Sequence, residues 1–205
     1  MGVSCSDVSR HKKSKINHQR FKENSPNKNN NEQPKNKFNE NNNSKIIGYR
    51  KMINYKNSDY KEKALQIHNK FRLKHKSKNL VLNIELCNMA KNYAEKCAES
   101  NDIINCTDLY NDDIIGQNVY ISNENHLDVE EICKQWYNEK FDYKFNSNKY
   151  IKDTGHFTQL VWKSTELVGF GYSTDEKGKI YFVANYYPAG NIFNEFDKNV
   201  QEEIN

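Results

Sequence analysis

The chain begins Met-Gly-Val-Ser-Cys-Ser. With Met1 removed, Gly2 leads and Ser6 stands at the fifth position, the pattern that accepts an N-myristoyl amide. Cys5 lies near enough for a palmitoyl thioester. Arg10, Lys12, Lys13, Lys15, Arg20 and Lys22 follow, with no acid among them. One myristoyl chain binds membranes only marginally, and stable anchoring takes a second signal. Two are on hand: Cys5, and six basic side chains worth about 1 kcal/mol each near an anionic leaflet. Gly2 and Cys5 are therefore the expected lipidation sites. An anionic membrane surface is the expected partner. Myristoylation is a cytosolic event, so the expected location is intracellular and peripheral, on the cytosolic face of a membrane. The segment has no apolar core of the kind a secretory signal needs.

The charge distribution agrees. The chain has 205 residues and a formal charge of +4. Residues 1–44 carry nine Lys/Arg against four Asp/Glu, whereas the remainder carries one more acid than base. All the net positive charge is thus in the N-terminal segment, and the body offers no basic surface for nucleic acid. Between Ser25 and Ser44 runs an Asn/Lys/Glu tract too polar to offset its chain entropy, so residues 1–44 are expected to be disordered. Residues 45–205 are the expected folded domain. No run approaches the roughly 18 apolar residues of a spanning helix.

Within the body, helix and strand signals are mixed. Ser58 and Asp59 can cap a helix running to about Lys76. Asn83 can cap a second, with Leu86, Met89, Ala90, Tyr93 and Cys97 on one apolar stripe. Asp128 and Glu131 form a capping box for a third, with Val129, Ile132, Cys133 and Trp136 facing inward. Residues 101–117 read as irregular, Asn118–Ser122 as a short strand, and 142–153 as a long loop. His156–Lys163 reads as a short helix. Leu167–Ser173 and Lys179–Tyr187 flank Asp175-Glu176-Lys177-Gly178 and read as a hairpin. Cys87, Cys97 and Cys133 read as buried thiols, and His75 and His126 as exposed. A terminal antiparallel pair after several helices predicts an α+β fold.

Six segments are distinctive: HNKFR at 68–72, GQNVY at 116–120, QWYNE at 135–139, GHFTQLVWKST at 155–165, VGFGYS at 168–173 and FVANYYPAGN at 182–191. In this order they resemble the CAP superfamily of cysteine-rich secretory, antigen 5 and pathogenesis-related proteins, over roughly residues 60–198. The likeness is to the intracellular, myristoylated Golgi-associated plant pathogenesis-related branch. Ala184 stands where secreted members carry Cys. The resemblance implies a three-layer α-β-α sandwich with a central, mostly antiparallel sheet, preceded here by the disordered tail. It also implies the Golgi or the secretory pathway as the membrane, and a cleft lined by two His and two Glu. Glu139 and His156 match two of those positions. Cys106 falls where the family has its other His, and Gln117 where it has its other Glu.

Three readings of the cleft follow from those residues. Cys106 and His156 could hold zinc, since thiolate and imidazole are both good zinc ligands. Cys106 could act as nucleophile with His156 as base and Glu139 orienting it. Or the tetrad is degenerate, Gln117 being unable to act as a base. His68 reads as structural. The resemblance further implies sterol or lipid contact by an aromatic loop, with Phe141, Tyr143 and Phe145 as the candidates, while Trp136 and Tyr137 read as core. The expected function is a membrane-anchored domain binding lipid, sterol or partner proteins. A cleft hydrolase, metal-assisted or of the Cys-His type, and a non-catalytic module that self-associates as a homodimer are the rivals.

Overall fold

The computed structural model describes residues 60–123 and 126–204. The expected tail, its sites Gly2 and Cys5, and the capping pair Ser58 and Asp59 lie outside the described residues. Helix α1 covers 60–74. There follow β1 (Val81–Leu82), α2 (Ile84–Ser100), β2 (Leu109–Tyr110), β3 (Asp113–Ile114), β4 (Gly116–Ser122), α3 (Val129–Asn138), a 3-10 turn (Glu139–Phe141), α4 (Gly155–Val161), β5 (Leu167–Thr174), β6 (Ile180–Tyr187) and α5 (Phe196–Asn199).

The main sheet runs β1-β5-β6-β4. β5 and β6 form the expected antiparallel hairpin, β4 adds antiparallel to β6, and only the two-residue β1 runs parallel to its neighbour. β6 is apolar on both faces because both faces are covered. Phe182, Ala184 and Tyr186 enter one core with Trp136, Tyr137, Phe157 and Leu160 of α3 and α4. Tyr181 and Val183 enter a second with Ala90, Tyr93, Ala94 and Cys97 of α2. The result is a helix-sheet-helix sandwich. Gly169 and Gly171 let α2 lie flat on β5: a Cβ on either would come within 2.2 Å of the α2 backbone at Leu86 or Lys91.

Local signals set the element ends. The Asn83 side chain accepts from Leu86 N–H at 2.9 Å, and Asp128 accepts from Glu130 and Glu131 N–H, capping α2 and α3 as expected. The stretch 101–117 is less irregular than its polarity suggests. It contains the hairpin β2–β3, turned by Asn111 and Asp112 at φ 52° and 61°. Two consecutive left-handed residues are what a two-residue hairpin of this hand requires, and Asn and Asp tolerate them.

His75 corrects the expectation of exposure. It is fully buried, bonded through Nδ1 to the Gln201 carbonyl at 2.6 Å and through Nε2 to the Tyr137 hydroxyl at 3.0 Å. The chain end that covers it lies 126 residues away, so no local pattern announces it. Glu203 pins the same segment by bonding both Lys74 and Lys140, and these two ammonium groups hold its carboxyl down at about 2.

Arg72 was marked only as part of a motif, yet it joins three segments. Its guanidinium is fully buried and donates to four backbone carbonyls: Lys78, Leu160, Trp162 and Thr165, at 2.8–3.0 Å. Those bonds tie α1 to the loop before β1, the end of α4 and the turn before β5. Burial lowers its pKa only to about 10, so it remains charged at neutral pH. Arg72→Ala would leave four carbonyls without this donor. We expect a loss of about 3–5 kcal/mol in urea unfolding. Arg72→Lys should recover little, since an ammonium cannot span the same fork. A loss below about 1 kcal/mol would show that the carbonyls find other donors.

Candidate functional site

The site is built where α3 ends and α4 begins. Glu139 follows α3 directly and starts the 3-10 turn, which aims its carboxylate at the first turn of α4. Oε1 receives His156 Nδ1 at 2.5 Å, and Oε2 accepts the N–H groups of His156 and Phe157 at 2.9 and 3.0 Å. These are the second and third residues of α4, whose N–H groups a local cap normally satisfies. Thr154, the residue at the cap position, makes no such bond and sends its hydroxyl to the Ile151 carbonyl instead. Glu139 therefore caps α4 from a distance while orienting His156.

The other side of His156 is held by a buried polar chain. Asn118 donates to the His156 carbonyl at 3.1 Å and to the Tyr186 hydroxyl at 3.2 Å. Tyr186 donates to His68 Nε2, and His68 Nδ1 donates to the Ala64 carbonyl, both at 2.8 Å. His68 is thus structural, as expected. Burial, reinforced by the charge of Arg72, pushes its pKa down to about 3. The Trp136 ring stacks over His156, 10° from parallel at 5.8 Å. A hollow of about 200 Å3 opens between β4 and this pair, walled by Val119, Tyr120 and Ile121 on one side and by Trp136, Glu139 and His156 on the other, with Gln135 at its rim.

The four expected cleft positions form two separate pairs. Glu139 and His156 are one. In the other, Gln117 donates to Cys106 Sγ at 3.5 Å and to Asn185 Oδ1 at 2.9 Å. Asn185 in turn reaches Leu86 of α2, and Cys106 packs with the α2-side core. Asn118, next to Gln117, points to the α4 side, as strand alternation demands. His156 Nδ1 is turned to Glu139 and Nε2 has no hydrogen-bond partner among the described residues, so neither nitrogen is set to activate Cys106. Zinc through His156 and Cys106 does not fit the donor set either. A zinc site needs three or four protein ligands, and no three His, Cys, Asp or Glu converge among the described residues.

The aromatic loop divides. Tyr143, expected as a lipid contact, is a correction: it is buried edge-on to Phe145 and Phe157. Phe145 is half-buried, its ring parallel to His75. Phe141 alone of the three is presented to solvent, at 78% exposure, with the Lys140 ammonium over its ring. Trp136 and Tyr137 are core, as expected. Cys87, Cys97 and Cys133 are buried, as expected.

The family model described as CAP, the cysteine-rich secretory protein family, matches residues 65–186. The chain belongs to the CAP family. This CAP domain is similar to the human Golgi-associated plant pathogenesis-related protein 1, at 33% identity over 143 residues, which covers 69% of this chain and 92% of that protein. It is also similar to venom allergen 5 of Vespula flavopilosa, at 38% identity over 58% of this chain and 61% of that one. Among solved structures, venom allergen-like protein 4 of Schistosoma mansoni superposes with a TM-score of 0.53 at 25% identity, over 71% of this chain and 95% of that one.

Sequence reasoning found Glu139 and His156 through their motifs but missed Asn118 and Tyr186 as members of the site. A signal was there: Asn118 is a polar residue at a position of β4 that must face the core. Two measurements test this CAP domain's wiring. Glu139→Ala removes a helix cap and the Nδ1 partner together, so we expect a loss of about 2–3 kcal/mol in thermal or urea unfolding. A neutral result would deny Glu139 its capping role. For pH, the folded chain keeps His68 neutral down to about 3, while the unfolded chain protonates it near its ordinary 6.5. Between those values the unfolded state binds more protons, so stability must fall as pH falls. Burial lowers the His75 pKa as well, in the same direction. The urea midpoint should decline from about pH 6.5 to about pH 5, and His68→Gln should flatten that decline. An unchanged slope in that variant would assign the effect elsewhere.

Proposed function

We propose that this CAP domain is held on the cytosolic face of Golgi or secretory-pathway membranes by an acylated N-terminal segment, and acts there by binding lipid, sterol or partner proteins. The observation that carries the reading is the coincidence, within residues 2–22, of an N-terminal Gly2, a neighbouring Cys5 and six basic side chains. The name of the human relative supports the compartment. No helix among the described residues is long and apolar enough to cross a membrane, so attachment falls to the acyl chains and the charge. Phe141, exposed on the turn after α3, supplies a ring suited to a headgroup boundary. The geometry of the cleft favours binding over catalysis. The Glu139 carboxylate is spent on three hydrogen bonds that hold α4, and Gln117 is neutral.

Fractionation of cells expressing the full chain tests the anchor. Wild type should pellet with membranes, Gly2→Ala should move most of the protein to the soluble fraction, and Cys5→Ser should leave weak, salt-sensitive attachment. Equal membrane retention of Gly2→Ala would overturn the anchoring.

A further inference from the structure

β4 ends the main sheet, pairing with β6 on one side only. The pairing runs without a bulge from Gly116 opposite Tyr186 to Ser122 opposite Ile180. A strand bonded on one side points alternate N–H and C=O groups outward. Along Val119, Tyr120 and Ile121 the outward groups have no hydrogen-bond partner among the described residues. The same three residues line the hollow beside α3 and α4. The side chains of Val119 and Ile121 belong to the α2-side core, so what they present to the hollow is main chain. Free edges of this kind invite pairing, and chains commonly blunt them with Lys, Pro or a bulge. β4 reads Gly-Gln-Asn-Val-Tyr-Ile-Ser and has none of these.

The strand is uncharged, but the chain around it is acidic. From Cys97 to Cys133 there are nine Asp/Glu and no Lys or Arg. Asp112 and Asp113 are exposed just before β4, and Asp128 and Glu131 are exposed after it, at the start of α3. Among the described acids of that stretch only Glu130 is in a salt bridge, with Lys63 and Lys134. The edge thus has a neutral middle with acids beyond both ends. That charge selects its occupant. A second copy laid on β4 would bring the same acids face to face, and an anionic membrane would be repelled. An extended peptide supplies main-chain groups at the spacing the edge needs, and Lys or Arg at its ends meets the acids.

We propose that the outer edge of β4 takes up an extended segment of a partner protein as a further strand, one with an uncharged, β-branched middle flanked by basic residues. Its main chain bonds Val119–Ile121. Alternate side chains point to the α4 side, where the hollow receives one of them. The proposal rests on the partner-protein reading of the function above, and not on the acyl anchor.

The test uses the full chain and the fluorescein-labelled probe acetyl-Lys-Lys-Thr-Val-Thr-Val-Thr-Lys-Lys-amide. By fluorescence anisotropy at low salt the probe should bind at least about tenfold more tightly than the same peptide N-methylated through its middle, which keeps the charge but loses the main-chain donors. A version ending in Glu should not bind. Raising the salt should weaken the probe several-fold. Hydrogen exchange should slow at amides within 119–121 when the probe is present. Asp112→Asn with Asp113→Asn, or Asp128→Asn with Glu131→Gln, should each weaken binding several-fold; these exposed positions tolerate the change, and the N-methyl comparison needs no variant at all. Absence of binding overturns the proposal. So does equal affinity for the N-methylated peptide, or protection that appears elsewhere. A chain that dimerises without the probe and protects 119–121 makes the occupant a second copy, which also overturns it. Membrane retention in wild type and its loss in Gly2→Ala are read separately, and neither depends on what the peptides do.

Discussion

Helix α4 is seven residues long and entirely buried, and two charged side chains from other elements hold its ends. A helix this short has no stability of its own, because its nucleation is not repaid by so few internal bonds. Glu139 supplies a carboxylate to the N–H groups of its first turn, and Arg72 supplies a guanidinium to the Leu160 carbonyl and to that of Trp162 just past its end. Each charge sits where the helix dipole favours its sign. The site depends on this clamp, since His156 is fixed only as firmly as the turn that carries it. The same clamp brings α1 and α3 into one layer, because each contributes one jaw.

A buried guanidinium without a carboxylate partner needs every donor satisfied and no competing positive charge nearby. Arg72 meets the first condition with four carbonyls. The second is met by His68, one helical turn earlier, which burial and the Arg72 charge together keep neutral. Neutrality fixes its hydrogen bonding. Its Nδ1–H goes to Ala64, and its Nε2 is left to accept from Tyr186, whose oxygen then accepts from Asn118. Asn118 ends the chain on the carbonyl of His156. The protonation state of a histidine in α1 thereby sets the direction of the Tyr186 bond in the chain leading to the site.

Much of this is written locally. Asn83 and Asp128 begin helices because their side chains can accept from N–H groups two or three residues on, and the near-continuous apolar run of Ile180–Tyr187 marks a strand covered on both sides. Turn chemistry was equally local at Asn111-Asp112, although the polar setting hid it. What could not be read are the partners supplied from far along the chain. The burial of His75 depends on Gln201, that of Tyr143 on Phe157, and the role of Arg72 on carbonyls about 90 residues away. Motif spacing found Glu139 and His156. It did not reveal that Gln117 would leave the strand toward the other helical layer, where it meets Cys106, since that follows from the register of β4 on β6.

A neutral side chain at Gln117 is consistent with its surroundings. Its amide nitrogen donates at once to Asn185 Oδ1 and to the Cys106 sulfur. A carboxylate has no hydrogen to give to either acceptor and would face both with a buried charge. A glutamate at 117 would require Asn185 to turn its amide, which now bonds the Leu86 carbonyl, and would want a cationic histidine in place of Cys106. Gln117 and Cys106 are thus matched to each other and to α2, and together they leave this half of the cleft uncharged. What charge remains is in the Glu139–His156 pair, already balanced by the backbone of α4. A cleft arranged in this way lacks the attraction for a cation that two acids and two imidazoles would give it.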